Sequence, residues 1–69
     1  MDMKNTYYVQ VNDYMTQVKV ELTETEARAV AYVLEEISKS DKDALVEIKE
    51  KDTGDILFDN YDEWIKAHK

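Results

Sequence analysis

Five carboxylates fall between Asp52 and Trp64, at Asp52, Asp55, Asp59, Asp62 and Glu63, with no lysine or arginine among them. Such a cluster can hold a divalent cation, work as a general acid–base pair, or offer negative charge to a basic surface. The spacing fails the first. An EF-hand loop alternates its oxygen ligands and places Gly at the sixth position. Here Gly54 follows Asp52 by two, and Ile56-Leu57-Phe58 fills the middle with apolar groups. The second requires a carboxyl whose pKa is shifted by burial or by a close like charge. Each of the five instead lies in a charge-rich stretch that reads as exposed. What remains is a display of charge.

The rest of the catalytic inventory is thin. There is no cysteine, so thiolate chemistry, thiolate metal sites and disulfides are all excluded. The single histidine, His68, lies beside the C-terminus on what reads as a fraying, solvated turn, whereas a general base must be held in place. One glycine, Gly54, cannot build a phosphate loop. The chain reads as a non-enzyme with no metal and no cofactor.

Composition bounds the partners. Sixteen acidic residues stand against nine basic ones in 69, a formal charge of −7 with one arginine, Arg28. Affinity for DNA or RNA comes largely from Lys and Arg neutralising phosphates, so direct nucleic-acid binding is disfavoured. Tyr7 and Tyr8 on a strand imitate a base-stacking platform, but the basic groove that accompanies one is missing. Basic protein surfaces are the natural partners, including those that normally hold nucleic acid. No apolar run approaches the roughly 18 residues of a membrane span. The start, Met1-Asp2-Met3-Lys4-Asn5, lacks a signal-peptide pattern, and the expectation is a cytoplasmic protein.

The elements that must position these groups are legible in the periodicity. Residues 1–69 make one small domain, which buries only about 60% of its unfolded surface. Thr6–Val11 and Thr16–Leu22 alternate with period two and read as strands. A tight turn at Asn12-Asp13 would set Val9 opposite Thr16 and Tyr7 opposite Val18. Thr23-Glu24-Thr25-Glu26 is a capping box with Leu22 and Ala27 as a hydrophobic staple. The helix it opens buries Ala27, Val30, Ala31, Leu34 and Ile37, and ends between Ser38 and Asp41. A second hairpin spans Ala44 to Asn60, with Gly54 at positive φ and Ile48 opposite Phe58. A short tail helix follows, capped by Asn60 and docked by Trp64 and Ile65. The expected fold is α+β in the order β-β-α-β-β-α: a four-stranded antiparallel sheet, the main helix packed on one face, and a short C-terminal helix.

In size, acidity, lack of Cys and Pro, and this α+β order, the chain resembles the small inhibitors of phages and mobile elements, of the anti-CRISPR and anti-restriction types. The resemblance implies a protein that occupies a nucleic-acid-binding site on a host defence nuclease. Asp52, Asp55, Asp59, Asp62 and Glu63 would then stand in for phosphates, with Tyr61 or Trp64 as a contact anchor. The alternative is a small adaptor or regulatory subunit. It would bind a protein partner, or a second copy of itself as a homodimer, through Tyr8, Met15, Leu45 and Leu57 on the open sheet face.

Overall fold

The computed structural model describes residues 3–11 and 17–68, and they form the expected α+β arrangement. The chain runs β1 (Asn5–Val11), β2 (Gln17–Leu22), α1 (Glu24–Ser40), β3 (Val46–Glu50), β4 (Ile56–Asp59) and α2 (Tyr61–Ala67). All four strands join one antiparallel sheet in the order β2-β1-β3-β4. The two hairpins therefore meet along β1 and β3, and β2 and β4 are the edges.

The first hairpin keeps the expected face but not the expected register. Val9 pairs with Val18 and Tyr7 with Val20, two residues beyond what a tight turn at Asn12-Asp13 requires. A shift of two preserves which side chains share a face, so alternation alone could not distinguish the registers. Residues 12–16, including that turn and Met15, lie outside the described residues.

Helix α1 begins as its sequence dictates. The Thr23 hydroxyl accepts the Glu26 N–H at 3.1 Å, and the Glu26 carboxylate accepts the Thr23 N–H at 2.8 Å. Asp41 closes the helix, its N–H donating to Ile37 O. Ala27 and Leu34 are buried, and Val30, Ala31 and Ile37 pack partly buried beside them. Opposite them the sheet contributes Tyr7, Val46 and Ile48, all buried.

The helix lies chiefly over β3 and β4 and reaches β1 and β2 less. Val18 shares the helix-facing side with Val20, yet it is 54% exposed, on the strand that α1 reaches less than β3 and β4. In the second hairpin Gly54 takes φ +76° and Ile48 does oppose Phe58. Glu50 N–H donates to Asp55 O, however, so four residues, Lys51 to Gly54, close the turn, one more than a loop of Asp52-Thr53-Gly54 would use. A bulge follows. Lys49 pairs with Ile56, not with Leu57, so β4 does not alternate cleanly. Ile56 stays exposed, while Leu57 and Phe58 both pack on the core.

Candidate functional site

The acidic strip is carried by the β4 edge and by the two connections at its ends. Asp52 and Asp55 sit in the β3–β4 turn, both exposed. Backbone bonds set that turn: Gly54 N–H donates to Glu50 O at 2.9 Å and Glu50 N–H to Asp55 O at 2.8 Å. The Thr53 hydroxyl adds an acceptor for the Asp55 N–H at 3.2 Å. At the far end Asp59 is half-buried, and its carboxylate accepts the Tyr61 N–H at 3.4 Å. Asp62 and Glu63 occupy the exposed first turn of α2.

Folding divides the strip in two. Asp55 and Asp59 are four residues apart on an extended strand, about 13 Å. That exceeds the Debye length of roughly 8 Å at physiological ionic strength, so the ends act as separate charge patches. At the turn end, a cleft of about 480 Å³ gathers Asp55, Glu50 and Glu24, with Arg28 paired to Glu24 at 2.7 Å. Glu24 and Glu50 were not legible as members of the patch. Glu50 could have been found from the hairpin register, which returns it to the turn. Glu24 comes from another element.

The α2 end is mixed in charge. A groove of about 620 Å³ between the end of α1 and α2 brings Lys39, Lys42 and Lys66 beside Asp59 and Glu63. Lys66 stands 3.7 Å from the Glu63 carboxylate. The run from 52 to 64 holds no base in sequence, yet three lysines reach it in space. Among the described residues, Asp52, Asp55, Asp59 and Asp62 have no salt-bridge partner. No group of acidic or histidine side chains among them is arranged to hold a metal ion.

The two aromatic anchors separate by environment. Tyr61 is exposed beside Asp62. Trp64 is half-buried and structural: its indole N–H donates to Asp43 O at 3.2 Å, and its ring stacks on His68 at 4.4 Å. His68 is exposed, as its position suggests, but its ring is held by neighbours. Its Nδ1 lies 2.9 Å from Trp64 O and its Nε2 3.0 Å from Asp43 Oδ1. Asn60 also departs from expectation, since its side chain makes no cap bond to α2. Its carboxamide instead accepts Val46 N–H at 2.8 Å and donates to Ala44 O at 2.6 Å. Together Asn60, Trp64 and His68 fasten α2 to the segment leading into β3.

The open sheet face offers less than its sequence implies. Tyr8 lies there, half-buried between Lys19 and Lys49. Leu45 is only 6% exposed, beneath Tyr61 and Gln10 at one end of the sheet. Leu57 belongs to the helix side, because the bulge turns it inward. Met15 lies outside the described residues. No helix among the described residues is long and apolar enough to cross a membrane. No protein-family model matches the chain, no curated protein matches it, and no solved structure matches it.

Proposed function

We propose that the protein is a non-enzymatic inhibitor that lays its β4 edge against a basic, nucleic-acid-binding site on another protein. A host defence nuclease is the enzyme class that its resemblance to small phage inhibitors implies. The observation that carries this reading is the set of four carboxylates, Asp52, Asp55, Asp59 and Asp62, on the β4 edge and the connections at its two ends, without salt-bridge partners among the described residues. Asp52, Asp55 and Asp62 are exposed, and exposed carboxylates without a counter-ion retain their full attraction for a cationic cleft. A partner shaped for phosphates releases its bound anions when they dock. Tyr61, exposed beside them, supplies the aromatic contact that interfaces favour. The open-face alternative is weakened by the burial of Leu45 and by the packing of Leu57 on the helix side.

The test is capture from a bacterial lysate with the wild-type chain beside the Asp55/Asp59/Asp62→Asn triple variant. The expected partner is a nucleic-acid-binding enzyme, held by wild type, lost by the variant and displaced by duplex oligonucleotide. A partner retained equally by both chains overturns the reading.

A further inference from the structure

The two edges of the sheet differ. β4 is four residues long, bulged and flanked by acids, features that discourage pairing with another strand. β2 is six residues long, regular throughout its pairing with β1, and no strand among the described residues pairs with its outer side. Its backbone donors and acceptors on that side form a template for strand addition. Val18 adds an apolar side chain that stands 54% exposed at this edge.

The sequence of β2 selects what fits there. A two-fold axis perpendicular to the sheet pairs the strand with its own copy, antiparallel, and must be centred on one residue so that opposed side chains share a face. Centring on Lys19 sets lysine against lysine, and centring on Glu21 sets glutamate against glutamate. Centring on Val20 places Lys19 opposite the partner's Glu21, and Glu21 opposite the partner's Lys19. The same register lays Val18 against the partner's Leu22 on the other face. It turns both charged residues of the strand into cross-strand pairs.

We infer that the protein forms a symmetric homodimer through antiparallel pairing of β2 with β2 of a second copy, centred on Val20. The product is a continuous eight-stranded sheet with both α1 helices on one face. Because β2 and β4 are opposite edges, the acidic strips lie at the two far ends and stay accessible.

Charge exchange tests the register. Lys19→Glu and Glu21→Lys each set like charges opposite one another at two places. Each is expected to weaken dimerisation roughly tenfold or more in sedimentation equilibrium. The two substitutions move the net charge in opposite directions, from −7 to −9 (−7 − 2) and to −5 (−7 + 2). A general charge effect would therefore strengthen one and weaken the other. Mixed in equal amounts, the two variants are expected to form a heterodimer, since every opposed pair is again complementary, and its recovery shows that both chains are folded. A wild-type chain that stays monomeric up to about 1 mM, the weak end of measurable association, overturns the proposal. So do single variants that dimerise like wild type, or a mixture that does not associate.

Discussion

The side-chain oxygen of Asn60 accepts the backbone N–H of Val46 at 2.8 Å, joining the start of α2 to the start of β3 across fourteen positions of sequence. The amide nitrogen completes the grip on Ala44 O at 2.6 Å, and the whole side chain is buried. One planar group thus satisfies a donor and an acceptor that no strand pairing reaches.

Asn60→Asp keeps the shape but removes the donor and places a carboxylate against a carbonyl oxygen. The expected loss is about 1–3 kcal/mol, the cost of an unsatisfied buried polar group. Urea unfolding measures it. An unchanged midpoint would mean that α2 is held by Trp64 and His68 alone.

Thr23→Ala removes the hydroxyl that caps α1, with an expected loss of about 1 kcal/mol in the same assay. Its partner makes the cap sensitive to pH. The bond from the Thr23 N–H holds the Glu26 carboxyl below its ordinary value of 4.5. With the folded pKa below the unfolded one, the stabilisation is complete above the unfolded value. It is lost as pH falls through the folded one. Glu26→Gln retains an acceptor but cannot titrate. As pH falls below the ordinary carboxyl value of 4.5 it is expected to lose less stability than wild type. Parallel acid curves for the two chains would contradict this.

Gly54→Ala meets no atom within 4 Å, so any cost must come from the backbone at φ +76°. About 1–2 kcal/mol is expected, the penalty of a left-handed conformation for a residue with Cβ. Gly54→Asn, which tolerates that region, should lose distinctly less in thermal unfolding. Equal losses would point to a different origin.

The Asp55/Asp59/Asp62→Asn variant is expected to fold as well as wild type, each site contributing no more than about 0.5 kcal/mol. None of the three has a salt-bridge partner among the described residues. The carboxamide that replaces the Asp59 carboxylate would still offer an oxygen to the Tyr61 N–H. Coincident urea curves would show that a lost partner reflects the binding surface. A marked drop in midpoint would assign these carboxylates a structural part.

Local sequence was enough to specify the element order, the capping box at Thr23 and Glu26, the apolar stripe of α1 and the positive φ at Gly54. Each depends on neighbours within a few residues, where periodicity and turn chemistry act directly. The remaining features came from how the elements pack together. A register shift of two leaves alternation unchanged, so the pairing of Val9 with Val18 was invisible to it. The bulge that turns Leu57 inward arises between two strands, not within one. Asn60 could cap its own helix or bind β3, and a buried backbone N–H at Val46 drew it to the sheet. The acidic strip was legible as a count of charges. Lys39 and Lys42, which reach one of its ends, and Glu24, which joins the other, come from distant positions, and Coulomb interactions follow distance in space and not along the chain.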